Sequence, residues 1–172
     1  MGLTKGYFIV VVLIWILVSP LRTSLGFQNE PVDFRGIKWG THIDQLPEMV
    51  FHAQSGDSKV YFRKNDKLKF GAANLLQIWY FFSMDRLYSV VVTFEGFSNY
   101  NALKADLFKT YGAGYPLEGF QEKYRWMGSD IILFFEYDET NEEGKLSYFY
   151  LPAIKSGLKQ ETEGTPKSDD MP

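Results

Sequence analysis

Two histidines and a few strand carboxylates are the side chains of this 172-residue chain whose types could carry reaction chemistry. Nucleophilic catalysis needs a hydroxyl or thiol, an imidazole and an orienting carboxylate that meet in space. The imidazoles available are His42, beside Thr41 at a predicted helix start, and His52, after Val50-Phe51. The sequence has no GxSxG elbow and no HExxH helix, and FRGIKWG (34–40) lacks the continuation that a dinucleotide loop requires. Both histidines therefore read as surface residues, and no catalytic residue is assigned. With two imidazoles and no thiols, neither a metal nor a cofactor is expected.

Carboxylates offer a second chemistry. Glu136 and Asp138 fall on one side of a predicted strand, and Glu95 ends the matching strand of the other half. Brought together, they could act as acid and base, as in a small envelope hydrolase. The neighbouring Glu142-Glu143 in a predicted turn favours a solvent-facing sheet instead. A third possibility is electrostatic: Lys59, Arg63, Lys64, Lys67 and Lys69, joined by Arg86, Lys123 and Arg125, could hold an anionic lipid headgroup or glycan phosphate. Lysine-rich turns between strands also block edge pairing, which is the plainer account.

Alternation supports a fourth reading most strongly. Gln77, Trp79, Phe81, Ser89, Val91, Thr93, Glu95, Ile132, Phe134 and Glu136 share one set of strand faces, which mixes polar and aromatic side chains. The opposite set, Ile78-Tyr80-Phe82, Tyr88-Val90-Val92-Phe94 and Leu133-Phe135-Tyr137, is more uniformly apolar and suited to a core. Trp79, Phe81 and Phe134, framed by Glu95 and Glu136, are thus predicted to form a binding face.

The elements that hold these residues begin after an export signal. Lys5 precedes an apolar run from Tyr7 to Val18, and Ser24-Leu25-Gly26 provides small residues for cleavage before Phe27. That run would span roughly 18 Å as a helix, whereas a bilayer core needs about 20 residues. The expectation is a signal over 1–26 and a periplasmic or secreted protein, the alternative being an N-terminal anchor in the inner membrane. Loss of Lys5 and Arg22 takes the net charge from −3 to −5, so nothing electrostatic favours nucleic acid. The leader removes only Tyr7, Phe8 and Trp15 from a total of 15 Phe, 11 Tyr and 4 Trp, so a cysteine-free domain still has ample side-chain volume for a core.

In the remaining chain, Phe34–Trp39 reads as a short strand between Gly36 and Gly40, with Trp39 as a core anchor. Thr41 and Asp44 then start a helix that Pro47 must stop or kink. KVYFRK (59–64) alternates, and 75–82, SMDR and 87–95 form a hairpin. NYNALKADLFKTYG gives a helix with Tyr100, Leu103, Leu107, Phe108 and Tyr111 in one stripe and Gly112 at its end. EKYRWM, DIILFFEYD and KLSYFYLP supply three more strands. The halves 34–96 and 97–152 echo one another: Tyr61 and Tyr124, Ile78 and Ile132, and Leu87 and Leu146 correspond, as in a tandem helix-plus-three-strand repeat. Residues 153–172 have a polar composition without aromatics and read as a disordered tail.

The segments FRGIKWGT, YFRKNDKL, IWYFF, RLYSVVVTFEG, NYNALKADLFKTYG, YRW and GKLSYFYLP together resemble a group of uncharacterised exported bacterial proteins with an FRGIKWG-type motif, over roughly residues 34 to 152. That resemblance implies export and a shared architecture, and no activity. The helix-then-three-strand unit is more distantly similar to the β-lactamase inhibitor protein and to BamE-type lipoproteins of outer-membrane assembly, which implies a non-enzymatic role in protein binding. The chain lacks the cysteines of both and begins with a strand, so no functional residue carries over.

The resulting expectation is one α+β domain over 27–152, with an antiparallel sheet of six to seven strands and two helices on one face. Its expected function is that of an exported, non-catalytic protein-binding or envelope-assembly module whose partner is another envelope protein. Membrane contact is expected only if the signal is uncleaved or the basic cluster binds lipid.

Overall fold

The computed structural model describes residues 26–117 and 122–156. The predicted leader, up to residue 25, and the predicted tail beyond 156 lie outside the described residues. Among the described residues, no helix is long and apolar enough to cross a membrane.

Strong β-formers in alternation build the centre of the fold. Strand β7 (Gln77–Ser83) buries Ile78, Tyr80 and Phe82, and β8 (Arg86–Glu95) buries Leu87, Val90, Val92 and Phe94. They join through Met84 and Asp85, both in left-handed backbone (φ 49° and 58°), which matches the two-residue hairpin turn that twisted strands prefer. Strands β11 (Ile131–Asp138) and β12 (Glu143–Tyr150) form the second long hairpin. With β3 (Met49–Ser55), β4 (Ser58–Arg63), β9 (Tyr115–Pro116) and β10 (Lys123–Met127), they make one eight-stranded antiparallel sheet, ordered β3-β4-β7-β8-β12-β11-β10-β9. Two four-stranded meanders thus meet along β8 and β12.

One long helix, α1 (Phe97–Tyr111), connects the meanders and buries Tyr100, Leu103, Leu107 and Tyr111. Tyr100 stacks on Phe135 and Tyr137 at centroid distances of 5.1 and 4.8 Å. Gly112, at φ +83°, ends the helix as its position in the sequence requires. Two short hairpins complete this core side. In β1 (Asp33–Phe34) and β2 (Ile37–Lys38), Phe34 and Ile37 are buried around an Arg35-Gly36 turn; in β5 (Lys69–Phe70) and β6 (Ala73–Asn74), Ala73 is buried. Trp39 follows β2, stacks on Tyr148 and Tyr150 and donates from Nε1 to the Pro31 carbonyl.

Several expectations are corrected. The sheet has eight strands because Met49–Ser55 is extended after Pro47, and Tyr115-Pro116 adds a short edge. The predicted first helix is a single 3₁₀ turn, Ile43–Gln45, whose N-cap is His42 rather than Thr41. The strand expected over 34–39 is the β1–β2 hairpin, outside the main sheet. Tyr88 leaves the core set because the β7–β8 register shifts between Phe81 and Phe82. Leu87 pairs with Phe82 and is fully buried, while the Tyr88 hydroxyl lies 2.9 Å from Ser58 Oγ. Residues 151–156, the last four of them assigned to the tail, are helical. The spacing of 54 between Ile78 and Ile132 also joins opposite faces, since Ile78 is buried whereas Ile132 lies between the buried Ile131 and Leu133.

Candidate binding face

The face opposite α1 is the site that alternation predicts. Reading across the strands, one row runs Trp79, Val91, Ser147, Phe134, Arg125 and Tyr115, each opposite the next in the ladder. The adjacent row runs Val60, Phe81, Ser89, Phe149, Ile132 and Met127. Trp79, Phe81 and Phe134 are therefore brought to one face, and all three keep partial exposure. Between them Ser89 and Ser147 are nearly closed off from solvent by the larger side chains around them. Phe134 and Phe149 meet edge to face at 6.1 Å, and His52 lies 4.6 Å from Trp79. With strands about 4.8 Å apart, the face from β4 to β9 covers roughly 29 by 20 Å, or about 600 Å².

Arg125 and Tyr115 are residues that the sequence reasoning placed elsewhere or passed over. Arg125 stands opposite Phe134 on one side and Tyr115 on the other, and its guanidinium lies 5.6 Å from the Tyr115 ring. Its Nε is shielded from solvent and, among the described residues, has no hydrogen-bond partner. The signal was available: Trp126 belongs to the core, so its neighbour Arg125 must point outward.

The carboxylates gather at one end of this face. Glu95, Glu143 and Asp138 occupy successive positions across β8, β12 and β11, and Glu136 lies two residues from Asp138. Glu136, Asp138 and Glu143 line a cavity of about 430 Å³ together with Lys123 and Lys145. Glu143 starts a strand, although the sequence placed it in a turn. Lys145 Nζ lies 3.3 Å from Glu136. Asp138 accepts from the Thr140 N–H at 2.8 Å and from Asn141 Nδ2 at 2.8 Å, and these bonds hold it below the usual carboxylate range. A general acid needs the reverse perturbation. Among the described residues, no group of His, Asp and Glu is arranged to hold a metal.

The predicted basic cluster divides. Lys59 pairs with Asp85 at 2.7 Å, and Arg86 donates to the Gly40 carbonyl. Lys123 and Arg125 belong to the sheet face. Arg63, Lys64, Lys67 and Lys69 remain together and are joined by Arg35. Of the histidines, His42 caps its 3₁₀ turn, with Nδ1 accepting from the Asp44 N–H, while His52 is the extra residue at the β3 bulge.

Comparison with known protein families, with curated proteins and with solved structures finds no match for this chain.

Proposed function

We propose that the chain is an exported, non-catalytic binding or envelope-assembly module that receives another envelope protein on the Trp79–Phe134 sheet face. The observation that carries this reading is the two-sided inequality of the sheet. One side is covered by α1 and the short hairpins, and the other presents partly exposed aromatics around Arg125. Trp, Tyr and Arg are the residue types in which binding energy concentrates, and the face is of the order of the ~800 Å² that one partner contributes to a stable interface.

The resemblance to exported proteins with an FRGIKWG-type motif, and the more distant similarity to BamE-type and inhibitor modules, belong to the same proposal. So does a tandem origin of the two meanders, for which the sheet order is the support. The hydrolase reading has less to rest on, since Glu136 faces Lys145 and Asp138 holds its own turn. Complementation of a deletion strain separates the two: Glu136→Gln retains function, whereas Trp79→Ala with Phe134→Ala loses it. The opposite pattern would overturn the binding reading.

A further inference from the structure

A second candidate site lies away from the sheet face, around the loop between β4 and β5. A cavity of about 680 Å³, within the usual range for small-ligand sites, is lined by Arg35, Arg63, Lys64, Lys67 and Lys69 against two carboxylates, Glu48 and Asp66. The loop is held from beneath. Arg35 donates to Asp66 Oδ1 at 2.6 Å and to the carbonyls of Lys67 and Lys69 at 2.5 and 2.6 Å. Tyr80, fully buried in the sheet, donates from its hydroxyl to the second Asp66 oxygen at 2.5 Å. Both carboxylates are thus committed, Asp66 to Arg35 and Tyr80, and Glu48 to Arg63.

Elsewhere the lysines that approach acidic residues find partners: Lys59 has Asp85, Lys104 has Glu122 and Lys145 has Glu136. Among the described residues Lys64, Lys67 and Lys69 have no carboxylate partner, although they sit within six residues of one another. Three ammonium groups lining one cavity beside Arg35 and Arg63 make its potential positive. A small multivalent oxyanion matches that arrangement because each lysine can meet a separate oxygen.

We propose that this cavity binds a phosphate group, with Lys64, Lys67 and Lys69 as its ligands and Arg35 as the positioning residue that holds their loop. A soluble phosphomonoester and an anionic lipid headgroup both carry such a group.

The test uses the full chain in neutral detergent micelles and follows backbone amide shifts by NMR. One arm titrates sn-glycerol 3-phosphate, and the other replaces part of the detergent with phosphatidylglycerol. Saturable shifts confined to residues 35 and 63–69 are expected in at least one arm. Response in the first arm identifies the phosphate group as sufficient; response only in the second identifies a lipid-borne source. The triple variant Lys64→Gln/Lys67→Gln/Lys69→Gln, all at exposed positions, weakens that binding at least tenfold. The control Lys38→Gln/Lys109→Gln/Lys155→Gln, with the same change in charge at exposed positions elsewhere, leaves it within twofold. No saturable shift in either arm, or equal loss in both triples, would overturn the proposal.

Discussion

Replacing Tyr80 with Phe removes one oxygen from the contact that ties the sheet to the β4–β5 loop. The ring itself is fully buried between Ile78 and Phe82, so the change leaves the core filled and alters only the hydroxyl. That hydroxyl donates to Asp66 Oδ2 at 2.5 Å, within the short range typical of a bond to a charged acceptor. Asp66 is itself mostly buried, its side chain 10% exposed, and among the described residues retains Arg35 as its side-chain partner when the phenol is lost. A hydrogen bond to an ionised group contributes about 1.5–3 kcal/mol, so Tyr80→Phe should cost about 2 kcal/mol. The measurement is urea unfolding of the chain from Phe27 onward, read by near-ultraviolet circular dichroism and by fluorescence. Its midpoint should fall with the slope unchanged. Combining Tyr80→Phe with Asp66→Asn should give a coupling energy of at least about 1 kcal/mol, because the two side chains share one bond. A loss below about 0.5 kcal/mol, or strict additivity, would refute the claim that this pair anchors the loop.

Other outcomes follow from equally local features. Glu30 is partly buried, which alone would raise its pKa. The N–H groups of Asp130, Ser129 and Ile131 outweigh that effect and hold it below its usual value, so its contribution is present above about pH 4.5 and is lost as pH falls. Glu30→Gln should therefore reduce stability at pH 7 and flatten the acid limb of a pH–stability profile. Gly144 lies opposite Phe94, whose ring occupies the place of a β-carbon, so Gly144→Ala should destabilise by about 1–3 kcal/mol in the same urea assay. Burial raises the phenol pKa of Tyr80, with help from Asp66, and that of Tyr148. Both stay protonated in the folded chain while the unfolded chain ionises near pH 10. Stability should then fall above pH 10 by about 1.4 kcal/mol per pH unit for each, and Tyr80→Phe should remove one such contribution from the alkaline slope.

Much of the fold is legible because its residues agree at several levels. Ile78-Tyr80-Phe82 has β propensity and strict alternation, and Tyr100, Leu103, Leu107 and Tyr111 keep a helical period up to Gly112; both elements form where the pattern places them. Legibility fails where a tertiary contact outweighs local preference. Pro47 limits the turn predicted at Thr41 and Asp44, as its position requires, but the pairing that takes Met49–Ser55 to the edge of the sheet beside β4 is not visible in local preference. Tyr88 and His52 sit at bulges, and a bulge is an insertion in pairing that alternation cannot reveal. For the candidate face, parity was sufficient to place Trp79, Phe81 and Phe134 together. The charge of Arg125 groups it with the lysines in sequence, whereas its position beside the buried Trp126 sets it on the face. Arg35 was missed at the basic cavity because its contacts with Asp66, Lys67 and Lys69 cross more than thirty residues of sequence.

The most direct measurement for the binding face is site-specific photocrosslinking in the envelope of the producing cell. A photoreactive residue at Phe134 should yield one discrete adduct that Trp79→Ala abolishes and Glu136→Gln preserves. The same residue at Lys109, exposed on α1 on the opposite side of the sheet, should yield none. Equal crosslinking from both positions, or an adduct at Phe134 indifferent to Trp79→Ala, would contradict the assignment of function to this face.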